Sequence, residues 1–93
     1  MRDYTGWIVR AAAGRDKGGV FCVVGVDQEQ NRLLLADGKR RKAAKPKQKK
    51  LGHVEPLSHQ YDHPAIEKLK QGQALTDKEL RRTLAAFCSE MEA

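Results

Sequence analysis

The sequence has few aromatic residues, few cysteines and no long hydrophobic run. Phe, Trp and Tyr make up 5% of the 93 residues, which argues against the aromatic platforms on which single-strand binders stack bases. No apolar run approaches the roughly 18 to 20 residues of a membrane helix, and the first residues, MRDY, lack the apolar core of a signal peptide. We therefore expect a cytoplasmic protein with no membrane partner.

Residues that could carry chemistry do not form a recognisable constellation. Cys22 and Cys88 are far apart, and each lies in an apolar pattern, so we expect reduced core thiols and not a redox or metal pair. Two of the three histidines are four residues apart, but Pro64 opposes a regular helix across them, and this spacing does not favour zinc. The histidines are His53, His59 and His63. The sequence therefore predicts no enzyme, no metal and no cofactor.

Basic residues are concentrated in one part of the chain. Residues 39–50, which we call the basic segment, hold 8 of the 18 Lys and Arg residues and no acidic residue. The rest of the chain has 10 basic and 12 acidic residues, so the formal charge of +6 comes from this segment. A field concentrated in this way favours a polyanion as partner. The alternative is a solvated, disordered charge run.

Short apolar stretches separated by glycine-rich or polar residues predict a mainly β fold. Each stretch is rich in β-branched residues, leucine or aromatics, and each is too short for a typical helix. The predicted strands are residues 7–11, 20–26, 32–36 and 51–57, with another beginning near Lys39. Five short strands in fewer than 60 residues predict a small, strongly bent barrel.

The stretch before the basic segment predicts a tight turn. Asp37-Gly38 is a dipeptide that readily adopts a two-residue hairpin turn, so a strand should follow from Lys39. Pro46 cannot donate to a strand ladder. The basic segment is therefore predicted to be an edge strand or a loop with an extended start.

The pattern becomes helical after residue 57. Asp62 is predicted to cap a short helix that has Pro64 in its first turn and ends at Gly72. Residues 76–79, TDKE, form a capping box before a second helix. Its apolar face comprises Leu80, Leu84, Phe87, Cys88 and Met91. We expect this face to pack on the barrel, whereas a protein-docking helix would leave it exposed.

Trp7 has two possible roles. Trp7 or Tyr4 could stack on a nucleic-acid base. Trp7 lies in an apolar strand and has a large area to bury, so we expect it to pack across the barrel or under the C-terminal helices. If the polyanion is a folded nucleic acid, it should then be recognised by its phosphate path and shape more than by its base sequence.

The first strands and their connecting loop resemble the KOW motif. The similarity is carried by GWIVR at 6–10, by GRDKG at 14–18 and by NRLLLADG at 31–38, and it extends to about residue 57. KOW motifs occur in large-subunit ribosomal proteins of archaea and eukaryotes, in transcription elongation factors and in short RNA-binding proteins of Firmicutes. The resemblance implies an SH3-like barrel over residues 1–57 that binds RNA, with a helical extension over residues 58–93 that the motif does not include. Its motif glycines are Gly14, Gly18 and Gly38.

The predicted RNA contacts lie in the basic segment and in residues 12–19, which we call the glycine loop. Glycines let backbone N–H groups approach phosphates closely, although here they could serve only the bend of the barrel. The predicted RNA-binding residues are Arg15, Lys17, Lys39, Arg40, Arg41, Lys42, Lys45, Lys47, Lys49 and Lys50. We expect Arg40, Arg41 and Lys42 to be better ordered than residues 47–50.

These observations predict non-catalytic binding of structured RNA, ribosomal RNA in particular, by a protein associated with the ribosome or with translation. Ribosomal proteins or transcription and translation factors are further possible partners. The alternative is an adaptor that uses the KOW barrel to bind a protein of the transcription or translation machinery, with the basic segment only adding affinity.

Overall fold

The computed structural model describes residues 2–92 and contains five strands followed by two helices. The strands are β1 (Ile8–Ala11), β2 (Val20–Asp27), β3 (Arg32–Ala36), β4 (Lys47–Lys50) and β5 (Val54–Ser58). The helices are α1 (Pro64–Lys70) and α2 (Asp77–Glu92), and a 3₁₀ helix spans Leu51–His53. No helix within residues 2–92 combines the length and apolar character needed to cross a membrane.

The strands form one antiparallel sheet in the order β4-β3-β2-β1-β5. Between β4 at one edge and β5 at the other, the chain passes through only the three residues of the 3₁₀ helix. Such a connection spans only about 6 Å, so the sheet must curl until its edges approach each other there. Two register shifts, between Ile8 and Val9 and between Val23 and Gly25, add local bend and twist. Within residues 2–92 no ladder joins β4 to β5, and the sheet stays open.

Both faces of the sheet are buried, each in a core of its own. Consecutive residues of a strand point to opposite sides, so neighbours contribute to different cores. Phe21 and Val23 contribute to an inner core enclosed by the curled sheet, while Cys22 contributes to an outer core covered by the helices. The inner core also contains Val9, Ala11, Leu33, Leu35 and Val54. A mainly β fold with a C-terminal helical extension, as predicted, is therefore confirmed.

The helices begin and end at local signals. Thr76 Oγ1 accepts a hydrogen bond from Glu79 N at 3.1 Å, and Thr76 N donates to Glu79 Oε1 at 3.0 Å, which confirms the capping box. The prediction of Asp62 as the cap of α1 is wrong: His63 Nδ1 accepts from Ala65 N at 3.1 Å. Leu80, Leu84 and Phe87 of α2 pack in the outer core, as expected. The prediction is wrong for Met91, which lies near the end of the helix and is 51% exposed.

The predicted two-residue turn at Asp37-Gly38 and the strand starting at Lys39 are wrong. Residues 37–46 form a wide loop, and β4 begins at Lys47, where it pairs with Leu35 of β3. The basic segment is thus a loop followed by a short edge strand, so its extended part lies at the end and not at the start. Residues 51–53, predicted as strand, form the 3₁₀ helix instead.

Candidate nucleic-acid interface

An ion pair joins the basic segment to the glycine loop. Arg41 Nη2 lies 2.9 Å from Asp16 Oδ2, and Asp16 is only 4% exposed. Asp16 is buried because the loop folds tightly around it: Gly19 N donates to Asp16 O, and Gly18 N donates to Ala11 O. The pair therefore fixes the basic segment against the loop that contains Arg15 and Lys17.

A second contact uses Lys49, which lies on β4 and is 8% exposed. Its Nζ donates to the carbonyl oxygen of Ala13 at 2.9 Å. Lys49 pairs with Leu33, a residue of the inner core, so its aliphatic stem shares the apolar side of the sheet while its amine reaches the glycine loop. Lys49 thus holds β4 and the glycine loop together.

Asp16 is surrounded by positive charge. The hydrogen bond from Arg41 is the main reason why the pKa of Asp16 lies below its usual value of 3.8, and the charges of Arg41, Lys49 and Lys47 lower it further against the opposing effect of burial. At neutral pH the carboxylate is therefore ionised. This negative charge offsets part of the repulsion among Arg41, Lys47 and Lys49.

The start of the loop that carries Lys39 and Arg40 is held in place by Asp37 and Gly38. Asp37 Oδ1 accepts hydrogen bonds from the backbone N–H groups of Lys39 and Arg41, each at 2.9 Å. Gly38 has φ +79° and lies directly against helix α2, where a Cβ would collide with the carbonyl oxygen of Asp77. This position therefore requires glycine.

Helix α2 reinforces this loop from the other side. Asp77 Oδ1 accepts from Ala43 N at 2.7 Å, and Arg81 Nη1 donates to Gly38 O at 2.8 Å. Arg81 and Lys39 also line the same shallow cavity of about 290 Å³. Sequence reasoning missed Arg81, because nothing in a helical pattern indicates which loop a helical side chain will meet.

Eight of the ten predicted RNA-binding side chains are exposed, and we call them the basic surface. They are Arg15, Lys17, Lys39, Arg40, Lys42, Lys45, Lys47 and Lys50. The other two, Arg41 and Lys49, are occupied in contacts that hold the surface together. The two stretches that form it, residues 12–19 and 37–50, contain ten basic and two acidic residues. The motif glycines Gly14, Gly18 and Gly38 all have positive φ.

The remaining candidates lie elsewhere. Cys22 is buried, and burial raises the pKa of its thiol to about 12, so it is a thiol at neutral pH. His63 caps α1, whereas His53 and His59 are exposed. Among residues 2–92 no group of three or more His, Cys, Asp or Glu side chains is placed to hold a metal ion.

No protein-family model matches the chain, and no curated protein matches it. What the basic surface does must therefore be inferred from its residues and geometry.

Proposed function

We propose that this protein binds structured RNA without catalysing a reaction, and that its target in the cytoplasm is ribosomal RNA. The observation that carries the proposal is the joining of the glycine loop and the basic segment through the Arg41–Asp16 pair. Two stretches that each suggested phosphate contacts in the sequence are thereby held together, and eight of their basic side chains point into solvent.

The arrangement suits a phosphate backbone. The loop around Gly38 and the edge strand β4 present several positive side chains to solvent. Such side chains can contact phosphates and position an RNA backbone without recognising its bases. RNA helices are recognised mainly through backbone geometry and shape, because side chains cannot enter their deep major groove. A basic surface whose two parts are joined by the Arg41–Asp16 pair is suited to that mode of recognition.

The curled sheet also fits the proposed fold family. We propose that the five strands form an SH3-like barrel of the KOW type that has an open seam between β4 and β5. The glycine loop and the basic segment would then be the RNA-contacting loops of that barrel. Helix α2 covers the outer face, so its apolar residues serve the core.

The proposal is tested by titrating the purified protein against a ribosomal RNA fragment at increasing salt. Each neutralised phosphate contributes about −0.7 to −0.9 to the slope of log affinity against log salt, so five or six contacts give a slope of about −3.5 to −5.4. A slope near zero, or no binding at low salt, would contradict RNA binding through this surface.

The cellular setting is tested by sucrose-gradient sedimentation of a lysate at low and high salt, with and without ribonuclease. We expect the protein to migrate with ribosomal particles at low salt and to leave them at high salt. Migration only with light protein complexes that resist both ribonuclease and salt would indicate a protein-binding adaptor instead.

A further inference from the structure

A second surface contains an aromatic cluster. The Tyr4 and Trp7 rings meet edge to face with centroids 4.6 Å apart, and His59 lies 5.6 Å from Trp7 on a tilted plane. The Arg2 guanidinium lies 5.6 Å from the centroids of both Tyr4 and Trp7. Three rings and one cation are thus brought together from the N-terminal segment and from the residue that follows β5.

The side chains of this cluster are only partly buried in the cores of the protein. Phe21 and Phe87 are buried in the two cores, and Tyr61 packs edge to face on Phe87. Tyr4 and Trp7 contact the inner core but remain partly exposed, and His59 is exposed. Tyr61 is also partly exposed but packs against the outer core, so Tyr4 and Trp7 are the partly exposed aromatic side chains beside the inner core.

Charge narrows the class of ligand. Because Arg2 already lies against both rings, a cationic ligand such as a methylated ammonium group would be repelled from the place where an aromatic cage would bind it. A neutral, flat ring system can stack on the aromatic rings or on the guanidinium plane of Arg2. A phosphate attached to it would be attracted by the positive charge of Arg2. A nucleobase with its phosphate meets both conditions.

We propose that Tyr4, Trp7 and His59, together with Arg2, form a stacking site for one unpaired nucleobase. The inference rests on the proposed RNA binding and adds to it a preference for RNA with an extruded base. Trp7 precedes β1 whereas the glycine loop follows it, so the two sites are separated by the length of β1, about 13 Å. One folded RNA can therefore contact both sites.

The test uses Trp7, the one tryptophan of the chain, as a fluorescent reporter. The probes are an RNA duplex with a single bulged adenosine and the same duplex with an abasic ribose at the bulge. Charge and overall shape are matched, and only the base differs. We expect the adenosine bulge to quench Trp7 fluorescence and to bind about 5- to 150-fold more tightly than the abasic bulge.

Variants then separate stacking from electrostatics. Tyr4→Ala combined with His59→Ala should abolish most of the preference for the adenosine bulge and leave the salt slope unchanged, because stacking releases no counterions. His53→Ala, at an exposed histidine elsewhere, is the matched control and should keep the preference. If the double variant fails to fold, the comparison of the two duplexes on the unaltered protein still decides.

The outcomes distinguish this site from the proposed function. Equal binding of both duplexes with a steep salt slope and no change in Trp7 fluorescence would overturn the stacking site and leave RNA binding intact. Failure of either duplex to bind at low salt would overturn both.

Discussion

Arg41 Nη2 lies 2.9 Å from Asp16 Oδ2, and this ion pair joins two residues that are 25 positions apart in the sequence. This pair links the glycine loop to the basic segment, and Lys49 makes a parallel link through Ala13 O. The basic residues therefore divide into two groups. Arg41 and Lys49 hold the two loops together, whereas the eight residues of the basic surface remain free to meet a polyanion.

Arg41→Ala should destabilise the fold by about 1–3 kcal/mol, because it leaves the buried Asp16 carboxylate without its main partner. The loss of stability is limited because the substitution also removes the buried Nε of Arg41, which makes no hydrogen bond. Urea unfolding measures the loss. Arg40→Ala is the control: this neighbour is exposed, and its removal should change stability by less than about 0.5 kcal/mol. Equal effects of the two substitutions would argue against a structural role for the ion pair.

The Asp16–Arg41 pair also predicts a pH dependence. The pKa of Asp16 is lowered in the folded protein, so its stabilising effect is present above the unfolded value of about 3.8 and is lost as pH falls through the folded value. Unfolding free energies of the wild type and of Asp16→Asn should therefore differ most near neutral pH and converge below about pH 4. The pKa values of Asp3 and Glu79 are lowered too, but their effects are common to both proteins and cancel in the difference.

The same comparison in an Arg41→Ala background provides the control for this pH effect. Without its main hydrogen-bond donor, Asp16 should contribute less, and the difference between Asp and Asn should depend less on pH. A difference that stays constant between neutral and acid pH in both backgrounds would contradict the assignment of Asp16.

Local signals predicted those parts of the fold that depend on neighbouring residues. The capping box at Thr76 and Glu79 was visible because its partners are three residues apart. The first three strands followed from short apolar runs bounded by turns. The predicted turn at Asp37-Gly38 was wrong because two other kinds of contact stabilise a wider loop. The Asp37 carboxylate accepts local hydrogen bonds from the N–H groups of Lys39 and Arg41, and the distant Asp77 accepts one from the N–H of Ala43.

The candidate site was predictable in composition but not in arrangement. The sequence placed phosphate contacts in both loops, yet it gave Arg41 and Lys49 the same role as their exposed neighbours. Nothing local separates Arg40 from Arg41, because what distinguishes them is the position of Asp16 on another loop. The meeting of Trp7 with His59 likewise depends on how the N-terminal segment and the end of β5 come together.

Alanine substitutions at three glycines should lower the stability of the fold by different amounts, set by the φ angle and the free space at each position. Gly52 has open space and no positive φ, so Gly52→Ala should be nearly neutral. Gly18 has open space at φ +90°, and Gly18→Ala should cost about 1 kcal/mol. Gly38 combines φ +79° with a collision against the backbone of Asp77, so Gly38→Ala should cost more than about 2 kcal/mol. Thermal unfolding of the three variants checks the order, and a mild effect at Gly38 would mean that the loop and α2 are not in close contact.

The basic surface predicts which charges set the salt dependence of RNA binding. Arg40→Ala with Lys42→Ala removes two exposed charges, and Arg15→Ala with Lys17→Ala removes two from the glycine loop. Each double variant should make the slope of log affinity against log salt less steep by about 1.4–1.8 and should weaken binding similarly for different RNAs, because phosphate contacts carry no sequence information.

The matched control for these variants is Lys78→Ala with Arg82→Ala. These residues lie one turn apart on α2, both are exposed, and their removal changes the net charge by the same amount. If binding depended only on net charge, all three double variants would weaken it equally. If the joined loops form the interface, only the first two should reduce the slope, because a contact with a phosphate releases counterions and a charge that makes no such contact does not. An unchanged slope in the Arg15 and Lys17 variant alone would confine the interface to the basic segment.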